Sequence, residues 1–493
     1  MNMNWSDEQN AIFNWFATGK GNLVVQARAG TGKTTTIKEA FSHAPESRML
    51  YAVFNKKNQI EAAAKITDGR VEIKTLHALG YRFIRAVWSN ARPDDQVEWD
   101  RVDAALKGFR SVPTEVRAAV KKLVGFGKNL LTSVGTVEEL MEIAEDYGVD
   151  CEQFEAADCG GWTLNRLATA ARATMEESLK PDQRGRISFN DMVWLPVAQN
   201  WIRAWFELVV VDEAQDMNLP QLMMALGACK KSGRVVVVGD DRQAIYGFRG
   251  AASDGMDMMR RMLKAQVLGL TVTYRCPKVV VARAQAIVPD YFAAESAPEG
   301  EDVDLCETGL VKWLEVGDAV LSRANAPLMP LCLALLRRGT PARIEGKDIG
   351  RMLTSIFEKI NARTVPQFIT KLANWADRRL KRFAGSKNFE AKAAEIDDQR
   401  ATLEAVADGA SSVEEIKHRL ITMFEDTKPG GRPCVVCSTV HKAKGLEWDR
   451  VALINRTFCR TRPGATGPAI EELNILYVAI TRAKKVLATA HGE

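Results

Sequence analysis

Near the start of the chain, the stretch Gln26-Ala27-Arg28-Ala29-Gly30-Thr31-Gly32-Lys33-Thr34-Thr35-Thr36 leaves few folds open. The apolar run Leu23-Val24-Val25 reads as a short buried strand leading into it, and residues 35–41 read as a helix behind it. Strand, glycine-rich turn, Lys-Thr and helix together form the phosphate-binding loop of a nucleoside triphosphatase. Gly30 and Gly32 carry no Cβ, so backbone N–H groups can curl round an anion. The helix N-terminus adds partial positive charge to that nest. Expected nucleotide contacts are therefore Ala29, Gly30, Thr31, Gly32, Lys33, Thr34 and Thr35. Lys33 should reach the β- and γ-phosphates of ATP, and the Thr34 hydroxyl should hold Mg²⁺. Ala27 stands where the pattern G-x-x-x-x-G-K-[ST] has its first glycine.

A chain of 493 residues can hold several domains with sizeable cores. No apolar stretch approaches the ~20 residues of a membrane span. The start, Met-Asn-Met-Asn-Trp-Ser-Asp-Glu, lacks a basic segment followed by an apolar one, so no signal peptide and no membrane partner are expected. An intracellular, cytoplasmic location follows, nucleoid-associated if the gene is bacterial or phage-borne. Nine scattered cysteines argue for reduced thiols, and Cys434-Val435-Val436-Cys437 reads as a buried strand rather than a metal motif. The net charge of +5 permits nucleic-acid binding without arguing for it.

Ser6-Asp7-Glu8-Gln9 reads as a capping box opening the first helix. Strands are expected at 49–54 and 71–74, with Phe54-Asn55 and Thr75-Leu76-His77 at their carboxyl ends, where parallel α/β sheets gather ligands. Between about 86 and 187 the alternation gives way to helices. A strand returns at Leu208-Val209-Val210-Val211, followed at once by Asp212-Glu213. Asp212 suits Mg²⁺ and Glu213 suits polarising the attacking water. About 180 residues separate Lys33 from Asp212, so both motifs are expected in one sheet interrupted by a helical insertion. The strand 235–238 ends in a segment carrying Gln243, Tyr246, Phe248 and Arg249, a mixture suited to sensing a γ-phosphate and stacking on bases. A strand at 267–272 leads to Thr273-Tyr274-Arg275. A second α/β region follows, with strands at 319–321, 434–439, 451–454 and 486–489 and a charged helical stretch from 347 to about 425. Within that stretch, residues 378–382 form a basic cluster suited equally to a solvated helix face or a nucleic-acid contact. This region has no phosphate loop of its own and reads as a partner completing a shared site.

In this order, from Gln9 to Lys485, the motifs resemble the superfamily 1 helicases, subfamily A, the UvrD/Rep/PcrA group; the wording at 239–251 is similar to the F-box helicase branch and its small phage and bacterial relatives. The resemblance implies an α/β fold of two RecA-like domains with ATP between them, each interrupted by a mainly helical insertion. Residues 1–85 and 188–276 would form the first domain around insertion 86–187, and residues 277–346 and 429–493 the second around insertion 347–428. Gln9 would read the adenine edge, Tyr274 would stack on the ring, and Glu447 would bind the ribose. Gln243 would contact the γ-phosphate, with Arg275 and Arg482 as arginine fingers. Phe54, Asn55, His77, Tyr246, Phe248, Arg249 and His441 match positions lining a single-strand DNA track. Leu76, Phe248 and Thr273 depart from common family residues. The implied activity is a DNA-stimulated ATPase that moves on single-stranded DNA, 3′ to 5′, and unwinds duplex at single/double-strand junctions. A translocase that strips proteins from DNA shares every motif, and a nucleotide-gated DNA-binding module is a third reading. A monomer or weak oligomer with replication or repair partners is expected.

Overall fold

The computed structural model describes residues 5–109, 112–149, 162–182, 184–245, 255–383, 389–424, 433–458 and 468–492. The chain forms two compact units. One runs to Leu270 without Ala29–Thr31; the other holds Ala29–Thr31 and the chain from Thr271 onward.

In the first unit, α1 (Asp7–Thr18) opens on the expected capping box: Ser6 Oγ accepts the Gln9 N–H and Gln9 Oε1 accepts the Ser6 N–H. Then come β1 (Leu23–Ala27), α2 (Lys33–His43), β2 (Met49–Val53), α3 (Lys56–Lys65), β3 (Val71–Thr75) and α4 (Leu76–Arg85). Two short strands, β4 (Arg92–Pro93) and β5 (Arg186–Ile187), pair in parallel at the mouth of a helical excursion. The excursion comprises α5 (Gln96–Ala105), α6 (Thr114–Leu130), α7 (Val137–Asp146) and α8 (Leu164–Ser178). Helix α9 (Phe189–Ala198) brings the chain back to β6 (Phe206–Val211), α10 (Leu219–Gly227), β7 (Cys229–Gly239), α11 (Gly255–Leu263) and β8 (Gln266–Leu270). The main sheet is parallel, in the order β3-β2-β6-β7-β1-β8. Alternate residues face opposite layers: Val25, Tyr51, Leu208 and Val210 pack with Phe16 and Phe41, while Val24, Leu50, Val209 and Val211 pack with Leu79 and Phe83. Burial on both faces explains why these strands are continuous apolar runs. Helices α4 and α9 approach so closely that a Cβ on Gly80 would lie 1.8 Å from the Met192 carbonyl oxygen.

The excursion has its own core, including Val120, Leu123, Leu140, Leu167 and Trp194. Within it sits a buried ionic knot. Lys128 Nζ donates to both Glu98 carboxylate oxygens at 3.0 Å, to Asp191 Oδ1 at 2.7 Å and to Ser178 Oγ at 2.8 Å. Arg101 pairs with Asp191 Oδ2 at 2.5 Å.

The second unit starts with β9 (Val272–Thr273), α12 (Lys278–Gln285) and β10 (Phe292–Ala293), the two strands pairing with each other. Next are β11 (Glu301–Cys306), α13 (Leu310–Trp313), β12 (Ala319–Ser322), α14 (Leu328–Arg337) and β13 (Ala342–Ile344). Four helices follow: α15 (Lys347–Ile360), α16 (Val365–Phe383), α17 (Phe389–Ala407) and α18 (Val413–Phe424). The chain then forms β14 (Val435–Thr439), α19 (Val440–Ala443), β15 (Trp448–Ile454), α20 (Pro468–Ile480) and β16 (Ala483–His491). Its sheet is also parallel, in the order β11-β16-β15-β12-β14-β13. Parallel sheets flanked by helices are the α/β class expected from the sequence. On α16, within the basic cluster, Arg379 lies over the Trp375 ring at 5.4 Å and Arg378 Nε donates to the Asn374 carbonyl. No described helix is long and apolar enough to cross a membrane.

Three local expectations change. The run 267–272 is not one strand: it breaks at Thr271, the residues before it pairing with β1 and Val272–Thr273 pairing with β10. Helix α2 begins at Lys33 rather than 35, because Gly32 takes the left-handed conformation that serves as its N-cap. Strand β11 gave no apolar signal. It lies at a sheet edge, with acidic residues at Glu301, Asp302 and Asp304.

Candidate nucleotide site

The register Gln26↔Gly239 and Val211↔Val237 brings the carboxyl ends of β1, β7 and β6 to one sheet edge. Gly32, at φ +79°, gives α2 no side-chain cap. The first-turn N–H groups at Lys33, Thr34 and Thr35 therefore point towards whatever anion occupies the loop.

Lys33 Nζ bonds Glu213 Oε1 at 2.8 Å, with side chains 13% and 24% exposed. Burial pulls the Lys33 pKa down, but Glu213 and Asp212 outweigh it and leave the value raised. Glu213 is left-handed at φ 51°, ψ 41°, a conformation costing a non-glycine residue roughly 1–3 kcal/mol. Its Oε2 accepts from Gln215 Nε2 at 2.6 Å. Asp212 is buried, with Oδ1 accepting the Glu213 N–H at 2.9 Å and Oδ2 accepting the Tyr51 hydroxyl at 2.6 Å. Burial, then the Glu213 charge, pushes the Asp212 carboxyl up to about 6.

The network continues along the edge. Gln215 Oε1 accepts the Asp240 N–H at 3.2 Å, and Asp240 Oδ2 accepts Gln243 Nε2 at 2.7 Å. Arg28 lies at the loop itself, buried, with Nη1 bonding Asp240 at 3.0 Å and Asp241 at 2.6 Å. Gln26 Nε2 joins Asp241 at 2.8 Å. Gln9 Nε2 donates to Thr36 Oγ1 at 2.9 Å and lies 3.9 Å from where a Gly32 Cβ would sit.

Of the expected DNA-track residues in this unit, Asn55 caps α3 by accepting the Asn58 N–H at 2.9 Å, and Phe54 packs partly into the core. His77 stands in the first turn of α4, 6.3 Å from the exposed ring of Phe189, and burial lowers its pKa. Tyr246, Phe248 and Arg249 lie outside the described residues.

In the second unit, Ala29 donates its N–H to Tyr477 Oη and accepts from Tyr291 Oη, each at 3.0 Å. Gly30, at φ +71°, accepts the Tyr274 N–H at 3.0 Å, while Thr31 is buried. Tyr274 is 54% exposed. Arg275 Nε pairs with Glu447 Oε2 at 2.6 Å. Arg482 is 2% exposed and donates to the Val478 and Leu446 carbonyls at 2.9 and 3.2 Å. Among the described residues no carboxylate pairs with it; burial, then the like charge of Arg275, brings its pKa down to about 10. His441 lies on α19, half-buried.

Comparison with known proteins gives this arrangement a family. Residues 5–264 match the UvrD/REP helicase N-terminal domain, and residues 343–491 match the UvrD-like helicase C-terminal domain. The chain belongs to the UvrD/REP helicase family. It is 26% identical to F-box DNA helicase protein 1 of Schizosaccharomyces pombe, over 94% of this chain and 55% of that protein. A probable DNA helicase II homolog of Mycoplasma pneumoniae is 26% identical over 57% of this chain and 42% of its own length. ATP-dependent DNA helicase UvrD2 of Mycobacterium tuberculosis is 24% identical over 95% of this chain and 76% of its own. The chain thus spans about half the length of the first two relatives.

Sequence reasoning missed four participants in the network at this candidate site: Arg28, Tyr51, Gln215 and Asp240. Two carried a signal. A long cation inside a glycine-rich loop is buried only when paired, and Asp240-Asp241 at a strand end offered the partners. A lone hydroxyl in the apolar strand Met49–Val53 likewise needs an acceptor.

Proposed function

We propose that this UvrD/REP-family chain is an ATP-hydrolysing motor that moves 3′ to 5′ on single-stranded DNA and unwinds duplex at junctions. The observation that carries this reading is the sheet edge where the uncapped N-terminus of α2 and Lys33 stand beside Asp212 and Glu213. The names of its relatives as DNA helicases support it.

In this reading Lys33 and the amides of Ala29 to Thr35 cradle the phosphates. Thr34 and Asp212 would hold magnesium. Their donor set fits: a hydroxyl and a buried carboxylate are hard oxygen ligands, and the Tyr51 phenol holds the carboxylate. Magnesium held there with the triphosphate would supply positive charge to offset that of the phosphates. A triphosphate in the loop offers Lys33 a more highly charged partner than Glu213, which is then released to act as base. Glu213 takes a proton from water as its oxygen bonds the γ-phosphorus. The bond to the β–γ bridging oxygen breaks, leaving ADP and phosphate. Gln243 is assigned to the γ-phosphate, and Arg275 and Arg482 to the charge developing on it. Gln9 would read adenine, Tyr274 stack on it and Glu447 bind ribose once it exchanges Arg275 for the nucleotide.

Phe54, Asn55, His77, Tyr246, Phe248, Arg249 and His441 are assigned to the DNA track. Residues 1–85 with 188–276, and 277–346 with 429–493, would be the two motor domains, and 86–187 and 347–428 their insertions. Replication or repair proteins are the partners proposed for a monomeric or weakly associating motor in the cytoplasm or nucleoid.

The test is ATP turnover with and without single-stranded DNA, beside strand displacement from 3′- and 5′-tailed duplexes. Stimulated turnover with displacement of 3′-tailed duplex is expected. Stimulated turnover without displacement would favour protein stripping, and nucleotide binding without turnover would overturn the motor.

A further inference from the structure

Within β2, Tyr51 is the one residue with a polar side chain, and the strand is buried along its length. Its ring packs edge-on to Phe41 of α2, centroids 5.7 Å apart, so the phenol is fixed by the core. The hydroxyl donates to Asp212 Oδ2 at 2.6 Å. A phenol has one hydrogen, and the carboxylate takes it. Asp212 Oδ1 is held independently by the Glu213 N–H.

We propose that Tyr51 is a positioning residue for magnesium: its buried hydroxyl holds the Asp212 carboxylate in the orientation that receives the ion. The inference rests on the nucleotide-site reading above. Tyr51 itself touches neither nucleotide nor metal, and acts by removing the freedom of the carboxylate that would hold the ion. Without its hydroxyl, Asp212 Oδ2 loses a partner and must be ordered by the ion itself.

The experiment compares wild-type protein with Tyr51→Phe, which keeps the ring and its packing. Binding of fluorescently labelled ADP is measured in EDTA and across a magnesium titration, beside melting temperature. The expected result is an EDTA affinity within about twofold of wild type and a half-saturating magnesium concentration raised about tenfold, the loss of one hydrogen bond to a charged group. An unchanged magnesium dependence in the variant would overturn the inference while leaving the site reading intact. Magnesium-independent ADP binding by the wild type would instead overturn the site reading, and this inference with it. Equal loss of affinity with and without magnesium, with a lowered melting temperature, would make Tyr51 a packing residue and overturn the positioning role.

Discussion

Lys33 and Glu213 hold one another at 2.8 Å, so the proposed phosphate ligand and the proposed base neutralise each other until a triphosphate separates them. Glu213→Gln should bind Mg-ATP yet turn it over at least ~10²-fold more slowly, because the base is lost and the cradle kept. Nucleotide titration beside turnover checks this; near wild-type turnover would remove Glu213 from the chemistry. The identity of these residues was legible because each follows a buried strand in a recognisable motif. Arg28 was not legible in its role, since its partners Asp240 and Asp241 lie more than 200 positions away. Burial pushes the Asp240 carboxyl up and the Arg28 charge opposes it. Arg28→Leu should leave that buried carboxylate uncompensated, a loss of about 3–5 kcal/mol, seen as a melting temperature several degrees lower. Turnover should fall too, as Gln243 hangs from the same carboxylate. Adding Asp240→Asn should recover part of the stability; a single variant as stable as wild type would sink the account.

At the scale of elements, the helical excursion was readable as helices, but what joins them was not. Lys128 on α6, Glu98 and Arg101 on α5, Ser178 on α8 and Asp191 on α9 meet in a knot that no helical periodicity announces. Lys128→Met should destabilise this region by about 3–5 kcal/mol, since it leaves Glu98 and Asp191 sharing one cation. The pH dependence has a definite sign. Burial raises the Asp191 pKa, but Lys128 and Arg101 outweigh it and hold the value at about 2, below the ordinary 3.8. Its stabilising contribution is therefore complete above the ordinary value and is lost as pH falls through about 2. In Lys128→Met the loss should begin at higher pH, read from thermal melts across the acid range; coincident acid profiles would remove the knot as the cause. Strand β8 teaches a similar lesson. The residues around Thr271 look continuous in sequence, and only their different partners, β1 before the break and β10 after it, end one strand and start another.

For the whole molecule, the proposed chemistry asks Arg482 of the second unit to act on the phosphate held by Lys33, about 450 residues earlier. Arg482 is a buried cation without a carboxylate among the described residues, the condition in which an anion is bound most strongly. Arg482→Ala should cut turnover by about 10³-fold or more, as for other arginine fingers, while ATP affinity changes far less. Parallel measurement of ADP affinity and single-turnover hydrolysis decides it, and normal hydrolysis would exclude the arginine from the reaction. The sequence by itself determined the α/β class and the family. It also singled out the glycine-rich loop, the acid pair and the arginines as candidates, because apolar runs followed by glycine, carboxylate or basic residues are local patterns. Tertiary structure alone decided that β1 and β6 both flank β7 despite the excursion between them, that Arg28 is tied to Asp240, and that Tyr51 is tied to Asp212. The physical reason is that burial makes a polar side chain find a partner, while chain connectivity does not say how far along the sequence that partner lies.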